Sequence, residues 1–287
     1  MRILRSVAEA DPGERAVAIG TFDGVHLGHR RVLQAALDAG IRSTVVTFQP
    51  HPRTALGNRV ELLTTLERRL DLIGGAGVDE ALVVPFTPEL ADLEPKAFVE
   101  YVLRPLGTQV VVAGANFRFG RGRAGDLDLL EALGLHVHAV PLVEGISSSS
   151  IRGLLQSGEI ERAARLLGRP PELDGLVVSG DARGGALGFP TANLSVDPEL
   201  LVPAYGIYAG AANGYRAAVS VGTNPHYGGQ ERRIEAFLLD FTGDLYGQRL
   251  VVELWTRLRD ERAFEGEREL VEQIERDVGA ARRATRP

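Results

Sequence analysis

The chain has 287 residues, enough for about two domains, and its 44% hydrophobic and 24% charged residues are the balance of a globular protein with a sizeable core. With 32 basic and 38 acidic side chains the net charge is −6, so no overall field draws it to nucleic acid or an anionic membrane. Cysteine is absent, which removes disulfides, thiolate nucleophiles and Cys-ligated metal sites, and the only lysine, Lys96, stands in Glu94-Pro95-Lys96-Ala97, where it cannot complete a P-loop.

Along the chain, the runs Ala16–Thr21, Ser43–Phe48, Ala81–Phe86, Gln109–Gly114 and Leu135–Pro141 read as short buried strands. Helical patterns lie between them near His26–Ala39, Thr64–Gly74, Pro95–Leu106 and Gly125–Leu133. Such alternation predicts βαβ units and a parallel sheet covered on both faces. Two consecutive helices follow, Ser147–Gly158 and Glu159–Leu167. The texture changes at Gly168-Arg169-Pro170-Pro171, which reads as the linker between a domain over 1–169 and another over 170–287. Beyond it, Gly175–Ser179, Gly206–Ala212, Tyr215–Val221, Arg233–Phe241 and Arg249–Arg257 are separated by turns at Asn213-Gly214, Gly228-Gly229 and Gly243-Asp244. These short segments predict a small antiparallel barrel, closed by an amphipathic helix over Gly266–Ala280. The basic end, Arg282 to Arg286, is read as a frayed tail. Met1–Ser6 lacks an apolar leader and no apolar run reaches membrane-spanning length, so the expectation is a cytoplasmic protein without a membrane partner.

The first candidate site follows the first strand in Gly20-Thr21-Phe22-Asp23-Gly24-Val25-His26-Leu27-Gly28-His29. Ligands of α/β sheets collect beyond the carboxyl ends of strands. His26 and His29 share one face of a helix start, whose free N–H groups and partial positive charge suit phosphate. Gly28 would let a phosphate chain approach the backbone. Two imidazoles there could donate hydrogen bonds to charge developing on a transferring phosphoryl group. The competing readings are surface decoration or a chance metal pair; no third ligand is evident for the latter.

His26-x-Gly28-His29 after a strand resembles the nucleotidyltransferase signature, and the longer string resembles the bacterial bifunctional riboflavin kinase/FAD synthetase family. Further pieces follow in order. In Val46-Thr47-Phe48-Gln49-Pro50-His51-Pro52-Arg53, two prolines suggest an extended loop and Arg53 offers a guanidinium, the alternative being a rigid turn with a solvated Arg. In Gly114-Ala115-Asn116-Phe117-Arg118-Phe119-Gly120, the aromatics could stack a flat ring or be core; the family often has Asp where Asn116 stands. Ile146-Ser147-Ser148-Ser149-Ser150-Ile151-Arg152 resembles the family's Ile-Ser-Ser-Thr-x-Ile-Arg. It would clamp a triphosphate, or merely cap a helix. His136 and His138 alternate along a strand, match nothing and are read as structural.

The second candidate site joins two strings. Gly180-Asp181-Ala182-Arg183-Gly184-Gly185-Ala186-Leu187-Gly188-Phe189-Pro190-Thr191-Ala192-Asn193 begins as a glycine-rich loop and ends extended, so Thr191 and Asn193 project to one side. Their neutral oxygens suit Mg²⁺. In Arg233-Ile234-Glu235-Ala236-Phe237-Leu238-Leu239, alternation sets Glu235 with Phe237 and Leu239, an acid facing an apolar interior. It could be the base that activates a hydroxyl, or the partner of Arg232 or Arg233 in a rim ion pair. Both strings resemble the riboflavin kinase module, as do Gly243-Asp244-Leu245-Tyr246-Gly247 and Leu258-Arg259-Asp260-Glu261-Arg262-Ala263-Phe264. Gly185 departs from a common Arg, and His226-Tyr227 from a usual Thr-Phe.

The resemblance implies a Rossmann-like nucleotidyltransferase domain followed by a β-barrel riboflavin kinase domain with a terminal helix. It implies ATP and riboflavin as substrates, FMN and FAD as products, and Mg²⁺ as cofactor, in a monomer or weak homo-oligomer without nucleic acid. His26, His29, Arg152 and Glu235 are the implied catalytic groups. Gly20, Phe22, Asp23, Gly28, Ser148, Ser149, Gly180, Arg183 and Gly188 would meet ATP or phosphate. Pro50, Arg53, Asn116, Phe117, Phe119, Arg259 and Phe264 would meet flavin, and Thr191 and Asn193 the metal.

Overall fold

The computed structural model describes residues 1–180, 188–223 and 232–287. Arg183, Gly185, His226 and the turn at Gly228-Gly229 lie outside the described residues. Two compact units form: Met1–Glu61 with Leu66–Ser147, and Leu62–Thr65 with Ser148–Pro287.

In the first unit, β1 (Arg2–Leu4), β2 (Arg15–Ile19), β3 (Arg42–Gln49), β4 (Glu80–Pro85), β5 (Thr108–Gly114) and β6 (His136–Val140) make one sheet in the order β1-β4-β3-β2-β5-β6. Every pairing is parallel. Five strands agree with the sequence reading; β1 is too short to show an alternation. The helices are α1 (Leu27–Leu37), α2 (Pro52–Ala55), α3 (Leu66–Gly75), α4 (Pro88–Ala91), α5 (Pro95–Phe98) and α6 (Leu127–Ala132), with α5 running on into a π-helical turn over Val99–Leu103. Successive strand residues bury into opposite layers. Ala16 and Ala18 pack with Leu33, Leu70 and Ile73, while Val17 and Ile19 pack with Val99, Leu103 and Leu130. His136 and His138 are exposed on the edge strand β6 and contribute nothing to either layer.

The loop after β3 is not extended as expected. Pro52 occupies the first turn of α2, where its missing N–H costs nothing, and His51 caps that turn by accepting from the Arg53 N–H at 3.2 Å.

The second unit opens with α7 (Ser148–Gln156) and α8 (Ile160–Leu167), which ends at Gly168 in the left-handed region, φ 71°. The strands β7 (Glu172–Val178), β8 (Ala192–Val196), β9 (Gly206–Ala212), β10 (Tyr215–Thr223), β11 (Arg232–Leu238) and β12 (Arg249–Arg259) close a barrel in the order β10-β11-β8-β7-β12-β9. Among the described residues, all its pairings are antiparallel. β8 reads in sequence only as the extended end of the glycine-rich loop, although Ala192 and Leu194 bury while Asn193 and Ser195 alternate away from them. The barrel core takes in Ile151, Leu155, Ile160, Ala163 and Leu167. That shared burial is why α7 and α8 belong with the barrel, upstream of the proline pair. Leu62 also belongs here, bridged in parallel to Leu200.

The terminal helix α9 (Glu267–Arg283) is longer than its sequence pattern, and the basic end is not frayed. Arg282 bonds both Asp240 oxygens at 2.7 and 2.8 Å, and Arg286 bonds both Glu253 oxygens at 2.9 and 2.7 Å. Arg216 caps the helix end through the Ala284 carbonyl. Each arginine meets an acceptor set by strand ends remote in sequence, which local pattern cannot reveal.

At the amino end of the sheet, Arg15 is 1% exposed. Its guanidinium meets Glu80 at 2.8 Å and the carbonyls of Gly13, Leu106 and Asp11 at 3.0, 2.8 and 2.8 Å. Removing one member leaves a buried charge uncompensated. Glu80→Gln should therefore lower the unfolding free energy by about 3–5 kcal/mol, read from a urea titration. Arg15→Met combined with Glu80→Leu should cost less than that single change.

Candidate functional site

In the sheet unit, β3 and β4 extend to one side of β2, and β5 and β6 to the other. The crevice at such a reversal, beyond the carboxyl ends of the strands, is where α/β sheets bind ligands. The loops after β2 and β5 both open there, and they carry the histidine string and Asn116–Phe119.

After β2 the chain reverses tightly. Phe22 and Val25 adopt φ of 51° and 39°, conformations that L side chains rarely hold. Both are buried in the core, which secures the strained turn. His26 then caps α1: its Nδ1 accepts from the His29 N–H at 3.2 Å. An imidazole that accepts at Nδ1 carries its proton, when neutral, on Nε2, so the cap selects one tautomer. The rings of His26 and His29 stack at 3.6 Å with 13° between planes, and Phe22 meets His29 edge-on at 5.3 Å. Gly28 serves this stack directly. A Cβ there would stand 3.1 Å from the His26 ring, so the glycine makes room for the imidazole. Gly20 similarly faces the Phe22 ring, and Asp23 is buried.

One group escaped the sequence reading. Arg69 of α3 is 1% exposed and bonds the Thr21 carbonyl at 2.7 Å and Gln49 Oε1 at 3.2 Å. Its signal was present: Arg69 lies three after Leu66 and four before Ile73, on the buried face of α3. His51, buried as the cap of α2, was also passed over.

The remaining sheet-side residues separate by exposure. Pro50, Arg53 and Asn116 are exposed, Phe117 is half-buried, and Phe119 is buried at 8% exposure in the core beside Phe98. Phe117 stacks on Phe119 at 5.6 Å, so both alternatives for this pair hold: one ring is core and the other rests on it. Ser148, Ser149 and Arg152 begin α7 and fall in the barrel unit, Ser149 exposed and the other two half-buried.

In the barrel, Ile234, Ala236 and Leu238 fill the interior, which leaves Arg233, Glu235 and Phe237 on the outer face of β11. The expectation that Glu235 faces the interior is thus corrected. Both alternating sets contain apolar residues, and only closure of the barrel decides which turns inward. Glu235 stands opposite Asn193 of β8 and Ser220 of β10 in the strand register, so three polar side chains share one outer surface. Arg233 meets Glu235 at 2.8 Å, the ion pair anticipated as the alternative, with both side chains 26% exposed.

A cavity of about 350 Å³ opens beside that pair. Phe189, Thr191, Ser220, Glu235 and Phe237 line it, with Arg259 at the end of β12, Phe264, and Ile274 and Asp277 of α9. Phe189 meets Phe237 edge-on at 5.5 Å. Arg259 is held by Asp277 at 2.7 Å, with its guanidinium 5.8 Å from the Phe264 ring. Gly180 is required by Asn193, whose amide nitrogen would lie 2.2 Å from any Cβ there. Gly188 has φ of 87° and is exposed. Thr191, Asn193 and Glu235 offer a hydroxyl, an amide and a carboxylate, a hard-oxygen set that fits Mg²⁺ with water and phosphate completing the shell. Among the described residues no group of three or more His, Asp or Glu side chains would hold a metal by itself.

Family models described as FAD synthetase and riboflavin kinase match residues 8–151 and 167–285. The chain is 38% identical over 290 residues to a bifunctional riboflavin kinase/FMN adenylyltransferase of Bacillus subtilis (strain 168), across 93% of this chain and 91% of that protein. It belongs to the bifunctional riboflavin kinase/FMN adenylyltransferase family. A Listeria monocytogenes member of that family is 36% identical across 92% of this chain and 90% of its own. A crystal structure described as a macrolide-efflux protein from Streptococcus pneumoniae has the same fold, with TM-score 0.88 and 30% identity over 99% of both chains. Among the described residues no helix is long and apolar enough to cross a membrane. The boundary between the two family models falls within α7 and α8, the helices that join the barrel core.

The histidine stack has a consequence for pH. His29 Nδ1 is buried and makes no hydrogen bond. Burial, then the charges of His26 and Arg69, hold His29 well below its ordinary 6.5. Below pH 6.5 the unfolded chain takes up a proton that the folded one refuses, so stability declines as pH falls toward the depressed folded value. In native protein the decline attributable to His29 should reach up to about 1.4 kcal/mol per pH unit. His29→Gln should flatten it in urea titrations run at a series of pH values.

Proposed function

We propose that the chain makes FMN and then FAD: the barrel unit phosphorylates riboflavin with ATP, and the sheet unit adenylylates FMN with a second ATP. What carries the reading is the correspondence of each family model with a unit that has its own polar site. Both reactions consume ATP, which is consistent with the expected cytoplasmic location.

In the barrel, the flavin ring has an apolar bed between Phe189, Phe237 and Phe264, within reach of Arg259. The ribityl hydroxyl is a poor nucleophile until its proton leaves, and Glu235 is the carboxylate beside the cavity that can take it. Oxygen then bonds to the γ-phosphorus as the bond to ADP breaks. Arg233 orients the carboxylate by its ion pair. Thr191 and Asn193 would hold Mg²⁺, which when bound neutralises phosphate charge. Gly180 keeps the Asn193 amide in place, and Arg183 and Gly188 belong to the loop assigned to ATP.

In the sheet unit, an FMN phosphate oxygen attacks the α-phosphorus of ATP and pyrophosphate leaves. The charge that develops is met by the Nε2–H of His26, by His29 and by the start of α1. Asp23, Gly20, Phe22 and Gly28 shape that pocket. Phe117, Asn116, Pro50 and Arg53 are the accessible groups for FMN, with Phe119 backing Phe117.

His29→Ala should reduce FAD formation by at least about a hundredfold and spare FMN formation, while Glu235→Ala should do the reverse. Chromatography of products from riboflavin and Mg-ATP measures both. Loss of both activities in either folded single variant would sink the assignment of separate sites.

A further inference from the structure

The sheet unit contains two fully buried arginines, and they differ in what answers their charge. Arg15 has the Glu80 carboxylate at 2.8 Å. Arg69 gives its hydrogen bonds to neutral oxygens: the Thr21 carbonyl at 2.7 Å, Thr47 Oγ1 at 3.4 Å, the Phe48 carbonyl at 3.5 Å and Gln49 Oε1 at 3.2 Å. Its Nε is buried without a partner. The Asp23 and Glu67 carboxylates act on it favourably through space, but burial outweighs them and lowers its pKa; a guanidinium whose hydrogen bonds all go to neutral oxygens is costly to bury, and a fold that keeps one gains something for it.

The acceptors indicate the gain. Thr21 precedes the strained Phe22–Val25 turn that delivers His26 and His29; Phe48 and Gln49 end β3, the neighbouring strand. One planar fork therefore ties the strand end beneath the histidines to the next strand end. Resting on the adenylyl-transfer reading, we propose that Arg69 is a positioning residue for that reaction: it fixes the turn after β2 so that both imidazoles face the nucleotide phosphates, and it supplies the site's buried positive charge. A lysine at this place could hold the charge but not both strand ends, since its ammonium is a point donor rather than a fork.

The charged and titratable groups around the stack are His26 on its own turn, Asp23 in the loop, and Arg69 with Glu67 on α3. The Arg69 charge acts in the same direction as burial in keeping His29 neutral. Arg69 therefore affects both the place and the protonation of the imidazole, and a purely structural residue would not move the second.

The test uses the full chain with Arg69→Met and Arg69→Lys. It measures FAD formed from FMN and Mg-ATP, FMN formed from riboflavin and Mg-ATP, and the His29 imidazole titration by NMR. Arg69→Met should lower kcat for FAD formation by about a hundredfold, leave FMN formation within about twofold, and move the His29 titration upward. Arg69→Lys, which retains the charge and folds without a buried void, should keep the titration low yet still lose about tenfold in FAD formation. FAD formation by either variant within about twofold of the native chain, or a titration in Arg69→Met that does not move, overturns the inference. A native chain that forms no FAD from FMN overturns the adenylyl-transfer reading itself, an outcome distinct from the other two.

Discussion

A helix can begin at a strand end only if its first amides find acceptors, and in the sheet unit His26 is that acceptor. Its Nδ1 closes α1 at the His29 amide, and the bond sets the tautomer of a ring that lies stacked on His29. Gly28 is small because the ring needs its space, and Phe22 and Val25 tolerate positive φ because their side chains are sunk in the core. The side chain that caps α1 is also one of the two stacked rings, so the stack cannot loosen without the helix start loosening too.

The barrel works under a different constraint. Six strands enclose a space that their own side chains fill, so a substrate of flavin size must be met outside. The outer faces of β8, β10 and β11 supply Asn193, Ser220 and Glu235, and α9 supplies a further wall. That helix is held by Asp277 on Arg259, by Arg282 in its last turn on Asp240 and by Arg286 beyond its end on Glu253. Exposed ion pairs contribute little individually, roughly 0–1 kcal/mol each; together with the capping of Ala284 they define where the helix ends.

Two catalytic systems in one chain place opposite demands on charge. The sheet site keeps an imidazole neutral by burying it near a guanidinium, whereas the barrel site keeps a carboxylate beside an arginine at partial exposure. Hydrogen-bond donation to phosphate needs an N–H, and proton abstraction from a hydroxyl needs an acceptor with a free lone pair.

Much of this was legible in order along the chain. Short continuous apolar runs separated by helical patterns determine a parallel sheet, short alternating segments with turn residues determine a barrel, and the ordered motifs bring the family into view, because all of these are local properties of spacing. Face and partner were not local. Whether Glu235 or Ile234 turned inward, whether Phe119 was core, and that Asp240 and Glu253 waited for Arg282 and Arg286 depended on closure of the barrel and on strand ends distant in sequence. Arg69 stood on a readable helix face, but its meaning came only when Thr21 and Gln49, far away in the chain, became its acceptors. Periodicity says which residues travel together; only packing says what they meet.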